Sequence, residues 1–271
     1  MPDSNIKLAC SATLGYRVTL EETLHLISVM GFRYVDLLFI VGWAHIEPSL
    51  VASDPDGVYE RIHVALQETG LKTATISTAV GIPPMDRTPA GIEQRRVETS
   101  ALLNLAKGLG TNIMVIQPGG PVKDHSLDEA FEACSASFAE QAKMALEAGI
   151  IPALELHCNS PFESIEQGKK LLKRVPGMKL VFDPSHQVYA GLKTQDLSWV
   201  LDNAAHIHLR DAAPGKMQAE YGTGTVDFDW IISELKSRNY SGFIATEYLD
   251  NEDFDAVSST LRLRKKLQDS L

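Results

Sequence analysis

Four short apolar runs in the second half of the sequence each carry an ionisable side chain close to their end. Three of these side chains are carboxylates and the fourth is an imidazole. They are Glu155, Asp183, His208 and Glu247. Such a set supplies mostly hard oxygen donors, which suit Mn²⁺, Mg²⁺ or Co²⁺ better than a metal that prefers sulfur. The residue types therefore predict a site for one divalent metal ion, with Mn²⁺ placed first and Zn²⁺ behind the others.

The period of a β-strand predicts that these four groups share one cavity. Side chains alternate between the two faces of a strand, so an inward Glu155 leaves Leu154 and Leu156 facing outward. The same alternation turns the other three ionisable groups inward. The inward layer beneath them consists of Ala153, Val181, His206 and Ala245. Unpaired charges at this density are costly away from water, and a divalent cation would neutralise them. The alternative is four unconnected strand ends, each satisfied by a lysine, an arginine or a backbone amide.

The elements that must position these groups form eight alternating strand and helix units. The strands are predicted at residues 6–10, 34–39, 72–78, 112–117, 151–157, 179–183, 204–210 and 242–248. Helical periodicity follows most of them, for example at 19–30, 93–109, 126–148 and 227–239. Eight units in 271 residues give about 34 residues each, the size of a (β/α)₈ (TIM) barrel that forms a single domain over residues 1–271. The alternative, an open doubly wound sheet, usually has a glycine-rich turn after its first strand, and Cys10–Thr13 lacks one.

Composition excludes several classes of protein. The net charge is 25 − 35 = −10 and 44% of the residues are hydrophobic, which indicates a folded chain and disfavours nucleic-acid and anionic membrane partners. No apolar run approaches the roughly 20 residues of a membrane span, and the first residues lack the pattern of a secretory signal. Three widely spaced cysteines indicate reduced thiols and neither a disulfide framework nor a thiolate zinc site. A cytoplasmic protein is expected.

The strand-end segments resemble those of the xylose-isomerase-like barrel superfamily. This superfamily includes the tagatose and psicose 3-epimerases, hydroxypyruvate isomerase, inosose dehydratase and the apurinic endonucleases. The segments are Ala153-Leu154-Glu155, Asp183-Pro184-Ser185-His186, His206-Ile207-His208-Leu209-Arg210-Asp211 and Thr246-Glu247. The resemblance implies that Glu155, Asp183, His208 and Glu247 bind the metal, and that the two glutamates are the acid/base pair. It also implies that His186 contacts a substrate oxygen and that Arg210 stands where the family commonly has a basic residue.

Other residues near the predicted rim are candidates for substrate contacts. Arg210 would hold a hydroxyl, carboxylate or oxyanion, or would instead pair with Asp211. His157 has the same parity as Glu155 and would be a substrate contact, a hydrogen-bond donor to a metal ligand or an extra base. The loop after the second strand offers two side chains that suit a sugar: the Trp43 indole would pack on C–H groups, and the His45 imidazole would bind a hydroxyl. The alternative is that Trp43 only plugs the barrel mouth.

Further candidates have a structural explanation that competes with a functional one. Gln117 ends the fourth strand and would hydrogen-bond to substrate, or only cap its loop. Residues 222–224, Gly-Thr-Gly, lie where phosphate-binding barrels place backbone amides, but the absence of a lysine cluster favours a flexible loop. Cys158 is expected to be a small packing residue, and His206 a hydrogen-bonded residue of the barrel interior.

The predicted chemistry is metal-assisted proton transfer next to a carbonyl. The leading hypothesis is an isomerase or epimerase of a small keto or aldo sugar that acts through an enediolate. A lyase on a keto-inositol or a 3-keto-glycoside is the alternative, because elimination can start from the same intermediate. An apurinic endonuclease ranks lower, since the third and fourth strands end in Ser77-Thr78-Ala79 and Gln117 instead of histidine. A sugar-binding protein with a vestigial site ranks last. Members of the superfamily often dimerise, so the resemblance implies a homo-oligomer.

Overall fold

A computed structural model describes residues 6–120 and 124–271 and contains a closed barrel of eight parallel strands. The barrel strands are β1 (Lys7–Ser11), β2 (Tyr34–Ile40), β4 (Lys72–Ala79), β5 (Ile113–Ile116), β6 (Ile151–Glu155), β7 (Lys179–Phe182), β8 (Ala204–Leu209) and β11 (Phe243–Thr246). Neighbours follow chain order, and β1 closes the ring by pairing with both β2 and β11. This closure excludes the open doubly wound sheet and confirms the predicted single-domain TIM barrel.

Helices surround the barrel, and three further short strands lie at its rim in the described part of the chain. The helices are α1 (Leu20–Val29), α2 (Pro48–Ser53), α3 (Pro55–Thr69), α4 (Pro89–Gly108), α5 (Leu127–Glu147), α6 (Ile165–Arg174), α7 (Ser185–Tyr189), α8 (Ser198–Asp202), α9 (Phe228–Ser237) and α10 (Ala256–Ser270). The rim strands are β3 (Ala44–His45), β9 (Asp211–Ala213) and β10 (Lys216–Ala219). In place of one long helix, α7 and α8 connect β7 to β8. None of the helices in the described part of the chain is long and apolar enough to cross a membrane.

Local sequence signals explain where several helices begin. The Thr19 hydroxyl accepts a hydrogen bond from the Glu22 backbone N–H, and the Glu22 carboxylate accepts one from the Thr19 backbone N–H. These two bonds form a capping box at the start of α1. Ser126 and Glu129 form the same arrangement at α5. The helix predicted at 93–109 begins earlier, because Thr88 caps it and Pro89 takes its first position.

The barrel interior is filled beneath the predicted site by small and β-branched side chains. One interior cluster contains Ile113, Val115, Ala153 and Val181. A second contains Ala9, Ala74 and Ala245. The outward residues of the same strands, such as Leu154 and Ile207, belong to the larger core between barrel and helices. The predicted alternation along β6, β7, β8 and β11 is therefore correct.

Asp211 fixes the long connection that follows β8. Its Oδ2 accepts hydrogen bonds from the backbone N–H groups of Gly222 and Gly224, at 2.8 and 3.0 Å. Its Oδ1 accepts bonds from the N–H groups of Ala212 and Val226, at 2.9 and 3.4 Å. The sequence favoured a flexible loop at residues 222–224, and that expectation is wrong because a buried carboxylate satisfies its amides.

The Asp211→Asn substitution should destabilise the protein by about 2 kcal/mol. The new amide keeps the volume but turns an N–H group toward buried N–H donors, which leaves hydrogen-bonding groups unsatisfied. Urea unfolding measures the change in the free energy of unfolding. Asp250→Asn, at an exposed carboxylate with a weak ion pair to Arg17, is the control and should change stability by less than about 0.5 kcal/mol. Equal losses in the two variants would contradict this account.

Candidate active site

The four predicted ligands converge at the carboxyl ends of β6, β7, β8 and β11, which are neighbours in the barrel. Glu155, Asp183, His208 and Glu247 are all buried. The Nδ1 atom of His208 lies 3.2 Å from a carboxylate oxygen of Glu155 and 3.2 Å from one of Glu247. Asp183 joins the group through His186, whose Nε2 lies 2.8 Å from Glu155 Oε1 and 3.6 Å from Asp183 Oδ2. The structure thus brings the four residues into two adjacent groups that share Glu155.

This donor set fits a divalent cation. Potential ligand atoms of Glu155, His208 and Glu247 lie within 4.8 Å of one another, and so do those of Glu155, Asp183 and His186. Glu155 belongs to both groups. A single imidazole nitrogen carries at most one proton, so His208 Nδ1 cannot donate fully to two carboxylates at once. A cation between these groups would satisfy both glutamates and leave the nitrogen as a neutral ligand.

Asp36 is a buried member of the site that the sequence analysis missed. It lies on β2, and its Oδ2 is 2.6 Å from His206 Nε2 and 3.3 Å from His208 Nε2. A carboxylate behind an imidazole fixes the orientation of the ring, so Asp36 turns His208 Nδ1 toward the cavity. The available signal was an acid in the middle of the apolar strand Tyr34–Ile40. His206 lies in the barrel interior, as the sequence predicted.

Charge partners keep the site ionised. Burial would raise the pKa of Glu155, but hydrogen bonds from His186 and His208 hold that pKa well below its usual range. Burial would lower the pKa of His186, but hydrogen bonding to Cys158 and Glu155 raises it to about 9. Burial opposes the charged form of His208 too, and the nearby Glu247 carboxylate raises its pKa well above the usual value. The Glu155 carboxylate is therefore anionic and able to attract a cation.

Arg210 belongs to the floor of the site and does not pair with Asp211. Its Nη2 donates to Asp183 Oδ2 at 3.1 Å, its Nε donates to Ser185 Oγ at 2.9 Å, and its Nη1 lies 3.7 Å from Glu247 Oε2. The predicted alternative of an ion pair at the rim is wrong, because Arg210 is buried and the Asp211 carboxylate is occupied by backbone amides. The guanidinium links two of the predicted metal ligands.

An open cavity of about 670 Å³ lies above these groups. Its wall contains several of the predicted contact residues, namely His157, His186, Arg210, Trp43 and Gln117. His45 is not among the lining residues. Its Nε2 lies 3.0 Å from the Gly15 carbonyl oxygen and 3.2 Å from Thr23 Oγ1, so this nitrogen joins β3 to α1 and to the segment before it, while the buried Nδ1 has no partner among the described residues. The structure thus corrects the prediction that His45 contacts a sugar.

Cys158 also differs from its predicted role as a packing residue. It is half-buried and lines the cavity, with its Sγ 3.4 Å from His186 Nδ1. Burial would raise the pKa of this thiol, but hydrogen bonds with His157 and His186 lower it to about 6. Burial raises the pKa of Cys10 to about 12 and that of Cys134 to about 11. Cys158 is thus the reactive thiol among the three.

Iodoacetamide should modify Cys158 well before Cys10 and Cys134 at neutral pH. The thiolate is the nucleophile, so the rate at Cys158 should rise with pH through a midpoint near 6 and be nearly constant above it. Peptide mass spectrometry over a pH series measures each site separately, and Cys158→Ser is the control. A midpoint near the ordinary value of about 8.5, or equal rates at all three thiols, would refute the prediction.

Comparison with known proteins identifies the family. A model of the xylose isomerase-like TIM barrel family matches residues 24–267. The chain is 27% identical to the Escherichia coli (strain K12) protein named "Putative L-ribulose-5-phosphate 3-epimerase SgbU", over 75% of this chain and 79% of that protein. The crystal structure of a 3-keto-D-glucoside 4-epimerase from E. coli aligns over 97% of this chain and 99% of that chain, with 18% identity and a TM-score of 0.72. The structure of the IolI protein with a zinc atom aligns over 98% and 99%, with 18% identity and a TM-score of 0.73. Because the family model covers most of the sequence, the chain belongs to the xylose isomerase-like TIM barrel family.

Proposed function

We propose that this protein is a divalent-metal-dependent epimerase or isomerase of a keto or aldo sugar. The observation that carries the proposal is the convergence of Glu155 and Glu247 on His208 Nδ1 at the floor of an open cavity. Family membership supports an activity on small sugars, since relatives include proteins named as epimerases of ribulose 5-phosphate and of a 3-keto-glucoside. Epimerisation at a carbon next to a carbonyl requires two proton-transfer groups, and two carboxylates flank this site.

Glu155, Asp183, His208 and Glu247 would hold the metal ion. When bound, the ion would polarise a substrate carbonyl and its neighbouring hydroxyl and so acidify the adjacent C–H bond. We place Mn²⁺ first on the donor chemistry, and the zinc in the IolI structure adds Zn²⁺ to the candidates. Asp36 holds the His208 ring in place from below, and Arg210 holds Asp183 from the side.

The two glutamates would perform the proton transfers. Glu155 is held ionised by His186 and His208, so it is ready to accept a proton from the substrate carbon. Glu247 approaches from β11, on the other side of His208, and can return a proton to the opposite face of that carbon. Return with inversion gives an epimer, and return to the neighbouring carbon gives an isomer. His186 would hydrogen-bond to a substrate oxygen, while His157, Gln117 and Trp43 contact the sugar from the wall.

Elimination by the same carboxylates is the second candidate. His157 lies on the cavity wall, with its ring centroid 3.9 Å from that of His186 and the two rings tilted by 41°, and it would supply a proton to a leaving group at the next carbon. An apurinic endonuclease stays at low rank, since none of the possible metal-binding groups among the described residues draws a ligand from β4 or β5. A cytoplasmic location, a homo-oligomer and the absence of nucleic-acid partners stay predictions.

Metal analysis of the purified protein should find about one divalent ion per chain. The double substitution Glu155→Gln and Glu247→Gln should remove that ion, because it replaces two charged ligands with neutral amides. The control replaces two exposed glutamates, Glu147 and Glu252, by glutamine and should keep the metal. Three zinc ions per chain would support the endonuclease instead.

Incubation of the metal-loaded protein with ketoses, ketose phosphates and 3-keto-glycosides in D₂O tests the reaction itself. Deuterium should enter at the carbon next to the carbonyl, and a rearranged sugar should appear by NMR. Glu155→Gln should reduce the exchange rate by about 100-fold or more, since it removes the base. A released aglycone or a dehydrated product would assign the protein to the lyases. No exchange with any of these substrates would overturn the proposal.

Asp36→Asn should weaken metal binding by about 10- to 100-fold without removing a ligand. Loss of the carboxylate behind an imidazole releases the ring orientation and lowers the basicity of the ligand nitrogen. Competition with a chelator measures the dissociation constant, and Asp128→Asn on the surface of α5 is the matched control. Circular dichroism checks that the barrel is retained, and an unchanged affinity in a folded Asp36→Asn variant would contradict the role assigned to Asp36.

A further inference from the structure

We infer that the natural substrate is an unphosphorylated keto-sugar whose far end carries an apolar or aromatic group. This inference rests on the proposed function, because it places the reacting carbon of a sugar at the carboxylate floor. Three independent observations support it. The cavity has no lysine or arginine free of carboxylate partners among its described residues, and the backbone amides in the loop after β8 are already hydrogen-bonded. The part of the cavity wall formed by β2 and the loop after it is apolar.

The cavity has little with which to bind a phosphate. Among the described residues that line it, Arg210 is the single lysine or arginine. Its guanidinium already contacts the carboxylates of Asp183 and Glu247, and it is buried. Two lining residues, Glu155 and Glu247, are themselves acidic. A phosphate dianion would therefore have to compete with the carboxylates of Asp183 and Glu247 for Arg210, which is unfavourable in a partly desolvated cavity.

The backbone amides that often bind phosphate in barrels are already used. Phosphate sites of TIM barrels commonly lie in the loops after the seventh and eighth strands of the barrel. Here β8 is the seventh barrel strand, and the N–H groups of Gly222 and Gly224 in its loop donate to Asp211 Oδ2. An internal carboxylate thus takes the place that an external anion would need. A phosphate could accept hydrogen bonds from these two amides only if it displaced Asp211 Oδ2 from them.

The wall opposite the carboxylates is apolar. In the closed ring of eight strands, β2 lies across the barrel from β7. Leu38 and Ile40 have the same parity as the inward Asp36, and they line the cavity together with Val41 and Trp43. We call these four residues the distal wall. Leu249 from the loop after β11 adds to the apolar lining.

The distal wall would exclude a polar group and accept an apolar one. Sugar hydroxyls pressed against it would lose hydrogen bonds to water without replacement, whereas an aryl or alkyl group would gain from leaving water. Trp43 is 39% exposed at the rim, and its ring centroid lies 5.2 Å from that of Tyr16. This support holds an indole face at the cavity mouth, where an aromatic substituent can stack. The combination of a carboxylate floor and an apolar far wall suits a keto-glycoside with an apolar aglycone.

Binding of three matched, unreactive glycosides to the metal-loaded protein tests this inference. The probes are methyl β-D-glucoside, phenyl β-D-glucoside and methyl β-D-glucoside 6-phosphate, and calorimetry gives their dissociation constants. The phenyl glycoside should bind at least tenfold more tightly than the methyl glycoside, and the phosphate at least tenfold more weakly. Tighter binding of the phosphate, equal binding of the phenyl and methyl glycosides, or binding of none of the three would overturn the inference.

Two pairs of measurements locate the effect at the distal wall. Trp43→Ala should reduce the ratio of phenyl to methyl affinity toward one. Val41→Lys should strengthen binding of the 6-phosphate, whereas Val64→Lys on α3 should not, although the two valines are similarly exposed at 43% and 39%. An unchanged ratio in Trp43→Ala would refute the assigned subsite. If the three glycosides bind with the expected affinities but no keto-sugar exchanges deuterium in D₂O, the inferred subsite stands and the proposed reaction is refuted.

Discussion

Compensation of buried charge is the constraint on which the rest of this structure depends. The carboxylates of Asp36, Glu155 and Asp183 lie almost fully out of contact with solvent, where each would be costly without a partner. The partners are shared: His208 lies between Asp36 and the two glutamates, and Arg210 spans Asp183 and Glu247. Because every cationic group serves more than one carboxylate, each side chain is held from two directions. One arginine and the imidazoles balance only part of the negative charge of these carboxylates, and a divalent cation would supply the rest.

The barrel makes such a concentration of charge possible because it supplies a rigid and dry support. Inward positions below the site carry small or β-branched side chains, such as Ala153, Ala245 and Val181, which pack without polar atoms. Electrostatic interactions are stronger in this environment than in water, so a modest number of groups fixes the geometry. The hydrogen bonds of parallel strands set the relative height of the ligands. The register that pairs Ala245 with His208, for example, places Glu247 two residues above the level of that histidine.

The fold and the meeting of the four candidate ligands at one end of the barrel were predictable because their signals are local, whereas the supporting contacts were not. Strand alternation and an ionisable side chain at each of these strand ends are visible within a few residues of sequence. The partnership of Asp36 with His206 joins residues 170 positions apart and exists only once β2 and β8 face the same barrel interior. His45 shows the opposite error, since a plausible sugar-binding residue is engaged by Gly15 and Thr23, which the sequence does not mark as neighbours.

Strand β2 explains how specificity can change without loss of the metal site. The inward-facing residues of this strand occupy two levels. Asp36 lies beneath His208, whereas Leu38 and Ile40 lie higher and line the cavity. The lower position lies against His208, a candidate metal ligand, while the upper positions line the cavity in which we propose that the far end of the substrate binds. The carboxylates that would transfer protons come from two other strands of the barrel, β6 and β11. Since the upper residues of β2 make no part of the charge network, substitutions there can alter which sugar is accepted while the network below them keeps its geometry.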